Sequence, residues 1–213
     1  MDKILTDFCR RTCRIRSRSS SAGRKWLVAC LLWLCGSCLN PLELRLIAAE
    51  TTKDPGLIKA AFLCNFAKFT EWPATAFAGL EGSIILGTLG RSPLDSWLEK
   101  TARTIQVAGR TITVRKLEEL PKPGEYHILY ISAEAPKTAL AEAMTKLGGS
   151  PLLTVGDGSE FAEQGGTIAL LEKDGKMRFQ VNLVTASAAG LKLNAGMLRL
   201  ADRVYRSATE QKP

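Results

Sequence analysis

The sequence has little of the side-chain chemistry from which most active sites are built. It contains one histidine, His127, and residues 50–213 contain one cysteine, Cys64. These counts exclude a cluster of Cys and His zinc ligands and an internal disulfide in that region. The GxSxG and HExxH motifs of hydrolases and the GxGxxG loop of dinucleotide-binding domains are also missing. We therefore expect no metal, no cofactor and no catalytic residues, and the protein is not predicted to be an enzyme.

Positive charge is concentrated at the amino-terminal end. The formal net charge is +8, and residues 1–49 carry +6 of it. The remaining residues are close to balanced and contain no basic stripe, so the high overall charge is not evidence for a nucleic-acid partner.

Residues 1–49 have the parts of an export signal. An Arg- and Ser-rich segment precedes the apolar run at 26–35, and small residues follow it. The run is shorter than the roughly 20 apolar residues that a spanning helix needs. We predict a signal or leader segment at 1–49 and one domain at 50–213. Three kinds of processing remain open: cleavage after Ala49, attachment of a lipid to Cys38 and an uncleaved membrane anchor.

A helix is predicted at the start of the domain. Asp54 is suited to cap it and Pro55 to occupy its first position, while Pro73 lies beyond its end. Helical spacing predicts a buried face with Lys59 and Lys68 outside it, formed by Ile58, Ala61, Phe62, Phe66 and Phe69.

The rest of the domain alternates short β-rich runs with amphipathic helical segments. Asp174-Gly175 separates two β-rich runs and predicts a hairpin. We expect a single three-layer α/β/α domain whose mixed sheet is parallel in the middle, with an antiparallel hairpin at one edge. The last segments, 184–189 and 196–206, are predicted to be helices.

Few polar residues are candidates for a functional site. His127 lies within a β-rich run and is interpreted as structural. Asp157 lies between two glycines, in a turn that either offers amides to an anion or needs glycine for its geometry. We predict that Asp157 and Glu163 in this region, or Arg178 and Phe179 in the hairpin, lie near a partner-contact surface.

Several blocks together resemble the YfiR-like family of bacterial envelope proteins. The blocks follow one another in the expected order from Ile58 to about Val204. They are KAAFLCNFAKFTEWP (59–73), IILGTLGRSPL (84–94), VAGRTITVRKL (107–117), HILYIS (127–132), LLTVGDGSEFAEQGGTIAL (152–170) and MRFQVNLVTASAAGLKLNAGMLRLA (177–201).

The resemblance implies a periplasmic regulator that is often dimeric. It implies a partner as well, the periplasmic sensor domain of a membrane diguanylate cyclase. Binding would hold the cyclase inactive, and release would raise cyclic di-GMP and favour biofilm formation. Contact with the membrane would come only through the leader or a lipid anchor. The alternative is a small-molecule-binding component of another envelope signalling system, which would need a concave pocket with a few convergent polar groups.

Overall fold

The computed structural model describes residues 54–78 and 82–207. The leader and its processing sites lie outside these residues. Helices and strands alternate along the described chain. In chain order they are α1 (Pro55–Lys68), β1 (Thr70–Glu71), a 3-10 turn (Ala74–Phe77), β2 (Ser83–Leu89), α2 (Asp95–Ala102), β3 (Gln106–Val107), β4 (Arg110–Leu117), β5 (Ile128–Ile131), α3 (Ala139–Leu147), β6 (Leu153–Asp157), α4 (Glu160–Glu163), β7 (Ile168–Lys173), β8 (Lys176–Asn182), α5 (Leu183–Ala188), β9 (Lys192–Leu193), α6 (Ala195–Leu198) and β10 (Arg203–Tyr205).

An eight-stranded mixed sheet forms the centre of the domain, in the order β10-β8-β7-β6-β5-β2-β4-β3. The strands from β4 to β7 in this order run parallel to one another. The β7–β8 and β3–β4 pairs are antiparallel. The mixed α/β fold with an antiparallel hairpin is therefore confirmed. The hairpin does not end the sheet, because β10 adds a further strand outside β8.

Side chains on the two faces of the sheet enter two separate cores. In β5, Ile128 and Tyr130 join the core formed with α1 and α2, whereas Leu129 and Ile131 join the core formed with α3 and α4. This alternation is the period-2 geometry of a strand that is buried on both faces. The predicted three-layer arrangement follows from it.

The capping of α1 is as predicted, but its buried face is not. Asp54 accepts a hydrogen bond from the Gly56 amide, and Pro55 is the first helical residue. Of the residues expected inside, only Phe66 is fully buried, and Phe69 is an exposed helix cap. The buried face consists of Ala60, Leu63, Cys64, Phe66 and Ala67. Apolar residues occur around most of this helix, so their spacing alone selected the wrong side.

The predicted helix at 196–206 is wrong. Its first turn is α6, which Asn194 caps by accepting from the Gly196 amide. The chain then leaves the helix, and Asp202 donates its backbone N–H to the Phe179 carbonyl. This bond starts the pairing of β10 with β8. The apolar residues of 196–206 have helical spacing. The chain nevertheless forms strand β10, because the open side of β8 offers it hydrogen-bond partners.

Candidate functional site

A concavity among the described residues lies at the carboxyl ends of β2, β5 and β6. It has a volume of about 690 Å³, and its polar lining includes Lys59, Arg91, Tyr130, Glu134, Asp157 and Glu172. In sheets with parallel strands, ligand sites are commonly built outside this edge. We call this concavity the carboxyl-edge cleft.

An ion pair and a hydrogen bond meet at Asp157 in the carboxyl-edge cleft. Lys59 Nζ lies 2.8 Å from Asp157 Oδ1, and the Tyr130 hydroxyl donates to Asp157 Oδ2 over 2.6 Å. Strand alternation positions the carboxylate, because Asp157 follows Leu153 and Val155 on the face of β6 that packs toward α1. Lys59 reaches it from α1. The pair is partly exposed, with 26% of the Lys59 and 17% of the Asp157 side-chain surface accessible.

Tyr130 is a fixed hydrogen-bond donor within this arrangement. Burial raises the pKa of its phenol, and the neighbouring Asp157 charge and hydrogen bond raise it further. The phenol therefore stays protonated at neutral pH and donates to the carboxylate. Both Asp157 oxygens are occupied, so this carboxylate orients Lys59 and Tyr130 and is a poor candidate for a general base.

The glycines around Asp157 are explained without a ligand. A side chain at Gly156 would collide with the Phe161 ring at 2.2 Å, and one at Gly166 would collide with the same ring at 2.1 Å. The Gly158 amide donates to the Leu170 carbonyl over 2.8 Å. Turn geometry and close packing therefore account for the glycines of this segment. The Gly158 amide is not available to bind an anion.

Glu163 belongs to a different site, on the α3/α4 face. Its Oε1 accepts from the Tyr205 hydroxyl over 3.0 Å and lies 3.7 Å from Arg203 Nη1. The Tyr205 hydroxyl also lies 3.2 Å from Gln180 Oε1. Burial and then the bond to Glu163 raise the Tyr205 pKa. Glu163 thus anchors β10 to α4 and does not converge with Asp157.

The two hairpin candidates point to opposite faces of β8. Arg178 is exposed. Phe179 is only 4% exposed, and its ring lies 5.3 Å from Phe66 and 5.9 Å from Phe62, measured between centroids. The Phe179 ring therefore packs in the core on the opposite side of β8 from Arg178, and its predicted place near a partner-contact surface stays a prediction.

His127 is buried and structural in its contacts. Its Nδ1 accepts a hydrogen bond from the Ile85 amide over 3.0 Å, which ties the start of β5 to β2. Phe77 packs on the ring at a centroid distance of 4.7 Å, and Arg110 lies over Phe77 at 4.1 Å. Burial lowers the pKa of His127, and the nearby Arg110 charge lowers it further. A hydrogen bond to the Ala76 carbonyl raises the pKa in part. The imidazole is therefore neutral at pH 7.

Cys64 is fully buried in α1, and burial raises its pKa to about 11. Its thiol packs as a small buried hydrophobe, and it is not accessible for a bridge to another chain in this conformation. The described residues contain no group of three or more His, Cys, Asp or Glu side chains placed to hold a metal ion.

Sequence reasoning missed two of the three residues that meet in the carboxyl-edge cleft. Lys59 was predicted to lie outside the buried face of the helix, and Tyr130 was considered only as part of the block HILYIS (127–132). Lys59 and Asp157 are separated by 98 residues, and Tyr130 and Asp157 by 27. An available signal was that Tyr130 and Asp157 each lie at or near the end of a predicted parallel strand, where strand ends meet.

The mixed sheet covered on both faces, with a cleft at the carboxyl ends of its parallel strands, defines an α/β domain. The YfiR/HmsC-like family matches residues 57–202, and the chain belongs to this family. The family consists of periplasmic, non-catalytic regulators of cyclic di-GMP signalling. None of the helices in the described segments has the length and apolar character required to cross a bilayer.

No curated protein matches the chain. Among solved structures, the chain is similar to the ABC domain from Streptococcus pneumonia in complex with L-Trp, with a TM-score of 0.44 and 11% identity. The match covers 68% of this chain and 60% of that one.

Proposed function

We propose that the chain is an exported, non-enzymatic regulator that binds the periplasmic sensor domain of an inner-membrane diguanylate cyclase and restrains cyclic di-GMP synthesis. Membership of the YfiR/HmsC-like family over residues 57–202 carries this proposal. The signal-like composition of residues 1–49 supports export, and the small net charge of the rest is compatible with a protein partner. We further propose that the mature domain begins near residue 50 and forms a dimer.

The first test is binding and its effect in the cell. The full chain, expressed with a diguanylate cyclase from the same organism, is expected to co-purify with the cyclase. Deletion of its gene is expected to raise cellular cyclic di-GMP. Arg178→Glu is expected to weaken capture about tenfold, or about 1.4 kcal/mol, if this exposed arginine lies at the contact. The matched control is Arg199→Glu, an equal charge change at another exposed arginine.

The outcomes separate the parts of this proposal. Absence of capture under both oxidising and reducing conditions, together with unchanged cyclic di-GMP on deletion, would refute the regulatory function. Capture that Arg178→Glu and Arg199→Glu leave equally intact would instead remove Arg178 from the contact surface.

The carboxyl-edge cleft favours a second candidate, a small-molecule-binding component of an envelope signalling system. The cleft combines an apolar lining with cations at Lys59 and Arg91 and acids at Glu134 and Glu172. Pockets of about this size with a few convergent polar groups are typical ligand sites.

Thermal unfolding of the full chain against a panel of small polar metabolites tests this second candidate. A true ligand is expected to raise the Tm by several degrees at 100 times its Kd, because binding to the folded state alone adds about 2.7 kcal/mol. Asp157→Asn removes the charge that orients Lys59 and is expected to abolish the rise, whereas Arg199→Glu is expected to retain it. A Tm that no compound shifts, or that shifts equally in Asp157→Asn, contradicts this candidate.

A further inference from the structure

One edge of the eight-stranded sheet is only partly covered. The outermost strand, β3, pairs with β4 through just two residues, Gln106 with Thr111 and Val107 with Arg110. Strand β4 continues to Leu117. Its outer side is therefore open over residues 112–117, which is about 20 Å of extended chain at 3.3 Å per residue.

The backbone groups that point out of this edge can be identified. Thr111 donates its amide to the Gly82 carbonyl beside β2, so Thr111 and every second residue after it face β2. Ile112, Val114 and Lys116 consequently direct their N–H and C=O groups outward. The Ile112 amide faces the Ile105 carbonyl, as the pairing of Gln106 with Thr111 requires. For the outward N–H and C=O groups of Val114 and Lys116, the part of the chain that the structure describes provides no hydrogen-bond partner.

The sequence of this edge favours pairing. Residues 111–114 are four consecutive β-branched residues, and β4 contains neither proline nor glycine. The opposite edge strand, β10, is only three residues long, which is one way in which proteins limit pairing at an edge. The open part of β4 is twice that length.

Charge indicates what kind of strand would bind. Arg115 and Lys116 are exposed on the open part of β4, and this part has no acidic residue. Lys116 pairs with Asp95 but keeps 68% of its side chain accessible. Glu118 and Glu119 follow this part directly and are exposed, so a second copy would bring both cations and acids to the edge. A strand with acidic residues opposite these positions would neutralise them.

We propose that the outer edge of β4, residues 112–117, binds an extended acidic segment of the partner protein as an added strand. Main-chain hydrogen bonds to Val114 and Lys116 provide affinity, and Arg115 and Lys116 select the acidic sequence. The inference rests on the proposed regulatory function, because it assigns a contact surface for the cyclase domain. It requires no change in the fold, since the free groups already point outward.

Amide exchange measured by NMR on the full chain tests the edge without the cyclase. The probe is a ten-residue peptide that alternates glutamate with valine or threonine, and the control peptide carries lysine in place of glutamate. The acidic peptide is expected to slow exchange at Val114 and Lys116. Exchange at Thr113 and Arg115 is expected to be slow from the start, because these amides already bond to β2.

Two substitutions sharpen the test. Arg115→Glu is expected to weaken binding of the acidic peptide about tenfold, or about 1.4 kcal/mol, without a change in Tm, because Arg115 is exposed. Arg178→Glu makes the same charge change on β8, with β2, β5, β6 and β7 lying between β8 and β4, and is expected to leave peptide binding unchanged. Val114→Pro removes one outward amide and is expected to abolish binding; its fold is checked by circular dichroism.

Each possible outcome either supports or overturns the binding of an acidic strand at β4. Unchanged exchange at the Val114 and Lys116 amides, or equal binding of the lysine peptide, overturns the proposal. Protection of the same amides that depends on protein concentration without peptide would assign the edge to a second copy and also overturn it. If the cyclase domain binds wild type and Arg115→Glu equally, the edge is not the contact, although the regulatory function stands. If the acidic peptide protects the edge but the cyclase domain does not bind at all, the edge stands and the proposed function fails.

Discussion

Phe179→Ala is expected to lower the free energy of unfolding by about 3–5 kcal/mol, the usual cost of deleting a buried phenylalanine ring. The ring fills the space between β8 and α1, where it contacts Phe62 and Phe66. These two aromatic residues come from a helix more than a hundred positions earlier in the chain. Loss of the Phe179 ring would therefore leave a cavity at the junction of the first helix with the sheet. Denaturant unfolding, followed by circular dichroism, measures the change.

The control for Phe179→Ala is the adjacent residue. Arg178 is exposed on the other face of β8, so Arg178→Ala is expected to change the free energy of unfolding by no more than about 0.5 kcal/mol. If Phe179→Ala were equally mild but weakened partner capture, the ring would be a contact residue and its assignment to the core would be wrong.

Acidification is expected to destabilise the protein through its one histidine. Burial lowers the pKa of His127 below the value of about 6.5 that it has in the unfolded chain. Below pH 6.5 the unfolded chain therefore gains a proton that the folded protein resists, and stability falls until the lowered pKa is reached. The expected slope is about 1.4 kcal/mol per pH unit in that window. Protonation would also remove the lone pair with which Nδ1 accepts the Ile85 amide.

Unfolding free energies at pH 7.5, 6.5 and 5.5 measure this effect, and His127→Asn isolates it. The Asn side chain offers an oxygen acceptor but does not titrate. The variant is expected to be less stable than wild type at pH 7.5, with a nearly flat profile down to pH 5.5. A slope that persists unchanged in His127→Asn would show that other groups cause the acid sensitivity.

Local signals in the sequence were sufficient for most of the fold but not for the orientation of its elements. The Asp54 cap, the buried strands and the hairpin at Asp174-Gly175 depend on residues close together in the chain, and these predictions hold. The buried side of α1 depends on which strands lie beneath it. That information is not in the helix, which is apolar around most of its circumference. Residues 203–205 likewise become a strand only because β8 offers a free side.

The candidate site was less accessible to sequence reasoning. Asp157 could be selected because it ends a strand between glycines, but its partners Lys59 and Tyr130 come from other elements of the chain. Glu163 and Asp157 are near each other in sequence, yet they face opposite layers of the domain. The contact role proposed for Asp157, Glu163, Arg178 and Phe179 stays a prediction.

The pair between Lys59 and Asp157 has a consequence for how the chain matures. Synthesis begins at the amino end, so α1 emerges from the ribosome 98 residues before the carboxylate that will hold it. Until the strands that share its core have been made, the apolar side of this helix is uncovered and open to aggregation. Contacts between such distant residues also form slowly, because a long loop must close first.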